Sequence, residues 1–315
     1  MNRRRPRLRR AVCAAATCLG LLGVAGHASQ PVPSVTRSSS SPSKAQPASA
    51  RKSSPLQAHY ARVQNDFVRA GYLRTDRGKG VRYDRLDLVN NFTAIALATE
   101  YDQSGGRLSG RGGATTLKRW EEPVRVSVEF GASVPAAQRQ KDTSNLKGYT
   151  RRLAAATRHP VSLAKRGGNF HVLILNEAER KAAGPRLKQL VPTLSQASIR
   201  HLTKIPRSQL CLVVSIAPGG EGTPYRQAIA MIPAELPDLL RLSCIHEEVA
   251  QGLGLPNDSP RARPSLFNDD KEFALLTRHD ETLLRILYDP RLKVGMDAKT
   301  ARPIVDRILW DMKLN

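Results

Sequence analysis

Apolar positions along the chain fall into helical blocks followed by alternating strand-like and helical ones. Leu56, Tyr60, Val63, Phe67 and Val68 recur at the spacing of one helical face, and Gly71 closes the pattern. A second helical period runs from about Arg85 to Tyr101 through Leu86, Leu88, Val89, Phe92, Ile95 and Ala96. Short runs rich in Val, Ile and aromatic residues come next, at Val124 to Phe130, Phe170 to Leu175, Leu210 to Ile216 and Tyr225 to Ile232. Helical patterns at Leu146 to Arg158 and Arg186 to His201 separate them, so the order reads β-α-β-α-β-β, and a helix from about Leu236 to Leu253 follows. The last two strands are expected to pair through the turn Pro218-Gly-Gly-Glu-Gly-Thr-Pro224. The pattern predicts an α/β (α+β) chain with a mixed sheet and no repeat of fixed period.

The ends of the chain carry different signals. Residues 1–28 combine Arg3, Arg4, Arg5, Arg7, Arg9 and Arg10 with an apolar stretch to about Ala25 and the small-residue ending Gly-His-Ala28. That is the layout of a cleaved export signal, and about 15 apolar residues fall short of the roughly 20 that span a bilayer. The expected destination is periplasmic or extracellular, with no membrane span after cleavage. Residues 29–55 are Ser, Pro, Ala and Gln with scattered cations, a composition that reads as a disordered spacer. A single folded domain is then expected over residues 56–315. The Gly-rich stretch between Gln103 and Thr116 follows a helix and precedes a strand, the reverse of a phosphate-cradling loop, and reads as a mobile surface loop.

Charge narrows the partners only a little. The formal charge is +23, and loss of the leader removes six arginines and no acid. A strongly basic field favours anionic surfaces such as envelope polymers. Aromatics make up only 5% of the chain, which argues against base-stacking platforms and specific nucleic-acid binding. Cys211 and Cys244 are the only cysteines beyond the leader, and an exported setting predicts one disulfide between them. Such a bridge would tie a central strand to the helix that follows the sheet.

That helix carries the candidate chemistry. Within Cys244-Ile-His-Glu-Glu-Val-Ala-Gln-Gly-Leu-Gly-Leu-Pro-Asn-Asp258, Glu247 and Gln251 stand one turn apart with Glu248 beside them. Gly254 can take a left-handed conformation, Pro256 stops the helix, and Asn257 or Asp258 can fold back to the same face. An elongated zinc-protease motif uses this spacing to bring three ligands to one metal with a Glu as base. Here the slots hold Glu247, Gln251 and Asn257, with Asp258 alongside, as candidate metal ligands, and Glu248 as candidate general base. Carboxylate and amide oxygens suit calcium, magnesium or manganese better than tight zinc binding. His246 has Ala250 four residues on and offers no standard His pair. The same residues can instead form a buried hydrogen-bond network, and two adjacent carboxylates on a half-buried helix require a compensating cation in either case. Arg291 and Lys293 are candidates for that cation, Asn268, Asp269 and Asp270 for a turn able to supply an oxygen ligand, and His279 with Asp280 for a solvated helix start. No Gly-x-Ser-x-Gly elbow supports a serine triad.

The stretch from Glu247 to Pro260, together with Pro264-Ser-Leu-Phe-Asn-Asp269, Leu276-Thr-Arg-His-Asp280 and Leu287-Tyr-Asp-Pro-Arg-Leu-Lys-Val-Gly-Met296, resembles the bacterial exported family known as domain of unknown function 2927. Leu117-Lys-Arg-Trp120 and Pro123-Val-Arg-Val126 fit it too, and the likeness covers roughly residues 71–309. A more distant resemblance is to metzincin peptidases, in which a tight turn and a helix opening Leu-Thr-x-x-Asp follow the motif. Ser265-Leu-Phe267 and Leu276 through Tyr288 fall in those places, although Phe267 stands at the turn Met and all three zinc histidines are absent. The resemblance implies a single zincin-like domain with an active-site-type helix, and a divergent peptidase-like protein that acts on peptide or envelope polymer as a hydrolase with an unusual metal or as a non-catalytic binder. The alternative is a basic module that binds anionic polymers without catalysis.

Overall fold

A computed structural model describes residues 48–99, 113–220, 222–268 and 270–314. The leader, most of the spacer and of the Gly-rich loop, and Asp269 lie outside the described residues. One compact unit spans Ala45–Asn315. It opens with α1 (Ala48–Arg69), which reaches back into the stretch assigned to the spacer. The Ala and Ser residues at its start carry no apolar period by which a helix is recognised. Next comes α2 (Arg85–Ala96), opened by a capping box between Asp84 and Asp87. It ends earlier than its period suggested, because Ala98–Thr99 (β1) turns into a two-residue antiparallel ladder with Gly113–Ala114 (β2).

The main sheet is built from β3 (Val124–Phe130), β4 (Val161–Leu163), β5 (Phe170–Leu175), β6 (Leu212–Ile216) and β7 (Gln227–Pro233) in the order β4-β3-β5-β7-β6. All neighbours are parallel except β6, which runs antiparallel to β7 through the expected hairpin. β5 lies at the centre and is buried along nearly its whole length, which is why it reads as a continuous apolar run. Between β3 and β4, α3 (Ala136–Thr157) begins well before Leu146, since its first turns are polar and leave no hydrophobic period. The single helix expected from Arg186 to His201 is two short ones, α5 (Gly184–Leu190) and α6 (Gln196–Thr203), and a further short helix, α4 (Glu177–Ala182), precedes them. Pro192 breaks the run, and the Ser195 side chain restarts it as an N-cap.

Helices cover both faces. Leu187, Val191 and Leu202 pack on Leu173, Val214, Ile229 and Met231 on one side. On the other, α7 (Asp238–Gln251), α8 (Arg278–Leu287) and α9 (Ala298–Asp311) join α2 and α3 around Val126, Phe170, Val172 and Ala230. Thr277 caps α8 in a reciprocal box with Asp280. The helix start is not solvated, however: His279 and Asp280 are fully buried. His279 lies 3.0 Å from the Asn91 amide on α2, and Asp280 accepts from the Leu266 N–H and the Ser265 hydroxyl. The first turn of α8 is thus the anchor for the loop that follows α7. Among the described residues, no helix is long and apolar enough to cross a membrane.

Candidate functional site

α7 is buried on nearly every side, yet a stripe at Cys244, Glu247, Glu248 and Gln251 follows the i, i+3, i+4, i+7 spacing of one face. Cys244 is bonded to Cys211 just ahead of β6, which fixes this stripe against that strand. The bridge therefore ties α7 to the edge of the sheet, not to its centre. At the other end the helix is docked by glycines. A side chain at Gly252 would strike the Phe170 ring, and Gly252 O accepts from the Trp120 indole. Gly254 has φ +125°, and a Cβ there would meet Lys118 O at 2.3 Å, so the turn out of α7 requires glycine.

His246 points away from the stripe. Its ring stacks on Tyr149 at 3.9 Å, and its Nδ1 accepts the Leu276 N–H. Burial pushes its pKa down to about 3, with Arg152 and Arg77 acting in the same direction. Asn257 is also directed elsewhere. Its backbone N–H and side-chain amide donate to Ile95 O and Ala94 O, satisfying the last turn of α2. It is therefore not placed to act as the third ligand. Asp258 does return to α7, where Gln251 Nε2 donates to its Oδ1 at 3.3 Å.

The compensating cation is Lys271, which sequence reasoning missed. Its Nζ stands 2.8 Å from Glu247 Oε1. Burial by itself would lower the ammonium, but Glu247, Asp258 and Glu248 around it hold it well above the usual lysine range. The turn at Asn268 delivers it: Asn268 O accepts the Lys271 N–H, and Lys271 sits at φ +59°, a left-handed conformation that costs a β-carbon roughly 1–2 kcal/mol. A strained residue whose ammonium closes on a buried carboxylate marks this as the site's centre. Asn268 spends its amide on Ala262 O and Asp270 accepts the Glu272 N–H, so both serve the turn and not a metal. Arg291 pairs with Asp289 and Asp311 and takes no part.

Cys211 Sγ and the carboxylates of Glu247 and Glu248 lie within 4.8 Å of one another, the spacing of a metal cluster. The residues do not fit a divalent ion as they stand. The sulfur is half of a cystine and carries no charge, and an ammonium already occupies Glu247. Asn257 is absent from the set, and an amide bonded to Asp258 is a weak remaining donor.

Glu247, Glu248 and Gln251 of the stripe floor a cleft of about 1360 Å³. His59, Val63 and Phe67 of α1 line it, as do Thr115, Thr116 and Lys118 beyond β2, and β6 runs through it from end to end. Register fixes which way the β6 backbone faces. The Ala228 N–H donates to Asn169 O, so alternate residues of β7 face β5, and Gln227, Ile229 and Met231 pair with Ile216, Val214 and Leu212. The N–H and C=O groups of Val213 and Ser215 consequently point outward along the cleft. Among the described residues no strand pairs with that edge. Nothing in the β6 sequence marks it as an edge, since it is as apolar as a central strand.

A family model described as "Protein of unknown function (DUF2927)" matches residues 86–307. No curated protein and no solved structure matches the chain.

Proposed function

Since the chain belongs to the DUF2927 family, whose description assigns no activity, we propose a role from the site itself: a metal-free receptor for extended peptide, built on a zincin-like scaffold that has exchanged its metal for Lys271. One observation carries the reading, the outward backbone edge of β6 lining a cleft whose floor is the Glu247–Lys271 pair. A peptide laid along that edge adds a strand, with main-chain hydrogen bonds to Val213 and Ser215 and side chains alternating between the cleft walls. The scaffold reading is supported by the order of α7, the turn at Ser265–Phe267 and α8, which repeats the layout of the metzincin resemblance.

Glu248 as general base has no metal-bound water to act on in this arrangement, so its role is to hold charge on the cleft floor beside Lys271. Three carboxylates around one ammonium also disfavour an anionic polymer in the cleft. We propose that the receptor acts outside the cytoplasm, a reading supported by the leader pattern and by the Cys211–Cys244 bridge.

The test is affinity selection from a degenerate decapeptide library, followed by titration of a selected peptide. Ser215→Pro removes an outward N–H without touching the β7 ladder, and proline is tolerated on edge strands. One lost hydrogen bond of about 1–1.5 kcal/mol weakens binding roughly tenfold. Methylating the peptide backbone N–H groups should act likewise, and a chelator should change nothing. Failure to select any peptide, or chelator-sensitive peptide cleavage, contradicts the reading.

A further inference from the structure

The helical layers on the two faces of the sheet both reach past β6, and the cleft is the gap between them. On one face α1 and α7 share a core with Cys211 and Val213, and His59, Val63 and Phe67 form an i, i+4, i+8 stripe along α1 that lines the cleft. On the other face α6 shares a core with Leu212 and Val214, and Ser195, Ala197 and Ser198 line the cleft from that side. Successive residues of a strand added to the edge point to alternate faces, and each shares its face with the β6 residue it lies across from. A residue across from Val213 therefore meets the α1 wall. Its neighbour, across from Val214, meets the α6 wall.

The two walls differ in chemistry. The end of α1 is fixed beside Cys211: the Leu73 N–H donates to Lys271 O, Lys271 closes on Glu247, and the Glu247 carboxylate lies within 4.8 Å of Cys211 Sγ. Phe67 meets Tyr72 edge-on, with ring centroids 6.3 Å apart. Val63 and Phe67 thus present half-buried apolar surface at the Cys211–Val213 end of β6. Ser215 marks the opposite end, where its hydroxyl reaches Gly252 O at 3.4 Å. On α6 the Ser195 and Ser198 hydroxyls share one hydrogen bond of 2.9 Å, and the Ser198 N–H also donates to Ser195 Oγ. One bond between two hydroxyls uses one of their two hydrogens, which leaves the other for an acceptor in the cleft.

We propose, resting on the strand-adding reading above, that the cleft selects peptides by two adjacent residues. A large apolar side chain lies across from Val213, seated on Val63 and Phe67. A side chain bearing a hydrogen-bond acceptor lies across from Val214 and faces Ser195 and Ser198. Phe67 and Ser198 are the residues that set this specificity. The remainder of the ligand is held through its main chain, so sequence outside the pair is tolerated.

The experiment is the decapeptide selection on the full oxidised chain, followed by titration of a selected peptide and by repeat selection on variants. Selected peptides should share a large apolar residue next to Asn, Gln, Asp, Ser or Thr. Truncating that apolar residue to Ala should weaken binding roughly 10–100-fold, and Phe67→Ser should do the same. Ser198→Ala should cost about three- to tenfold, with no further loss when the acceptor residue of the peptide is also replaced by Ala. Since Phe67→Ser also loosens α1, Phe67→Lys is the second variant. It should move the preference at the apolar position to Asp or Glu, a shift that a misfolded chain cannot produce. Peptides that bind and are weakened by Ser215→Pro, yet lack the apolar residue or bind Phe67→Ser as tightly as wild type, overturn this specificity and leave strand addition standing. If no peptide is selected, strand addition fails and this proposal fails with it.

Discussion

Replacing Lys271 by Met keeps most of the side-chain stem and removes the charge. Glu247, whose side chain is 8% exposed, then loses the ammonium 2.8 Å from its Oε1. Removing one partner of a buried pair costs about 3–5 kcal/mol, because a charge is left without compensation. Lys271 keeps 23% of its side-chain exposure, so water screens part of that loss and about 2–4 kcal/mol is the better figure. In a folding unit of this size each kcal/mol moves Tm by about 2–4 °C, which places the drop at roughly 4–16 °C. Differential scanning calorimetry of wild type, Lys271→Met, Glu247→Gln and the double variant measures it. The double variant should recover most of the loss, since the carboxylate and its need for a cation go together. Mn²⁺ or Ca²⁺ should raise the Tm of Lys271→Met and leave wild type unchanged, because oxygen ligands freed of the ammonium suit those ions. A Tm for Lys271→Met within 1 °C of wild type, or no recovery in the double variant, refutes the view that Lys271 stands in for a metal.

Other substitutions test the surroundings. Cys211→Ser opens a loop of 33 residues and should cost about 4 kcal/mol on the chain-entropy scale, seen as a lower urea midpoint. Gly254→Ala forces a β-carbon into Lys118 O at φ +125° and should cost more than about 3 kcal/mol, read as loss of soluble folded protein. Histidine in the unfolded chain takes its proton near pH 6.5, while His246 in the fold does so only near pH 3. Between those values the unfolded state binds more protons, so stability is full above about pH 6.5 and declines as the pH falls. His246→Gln should flatten that decline in thermal melts, leaving the smaller slope that buried His171 and half-buried His159 and His201 contribute in the same direction.

Much of the frame was legible because it rests on local periodicity. The strand runs, the hairpin at Pro218–Pro224 and the pairing of Cys211 with Cys244 all follow from residue type and spacing. The helix after Arg186 misled because its hydrophobic period continues across Pro192, which the backbone cannot follow. The motif face was half legible. Glu247, Glu248 and Gln251 do line one side of α7, as their spacing requires, but Asn257 was claimed by the carbonyls ending α2, a long-range need that no local pattern shows. Lys271 was invisible for the same reason. It lies 24 residues from Glu247 within a polar turn, and only the strained backbone at that turn aims it. His279 and Asp280 look like surface residues until the loop through Ser265 closes over them. In each miss a polar side chain served a partner distant in sequence.

The most direct test is amide hydrogen exchange at Val213 and Ser215 in the oxidised protein, with and without a selected peptide and with and without a chelator. Both amides should exchange readily in the free protein and become protected when peptide is bound, equally so in chelator. Amides that are unchanged by bound peptide, or protection that vanishes when metal is removed, would contradict a metal-free strand-adding cleft.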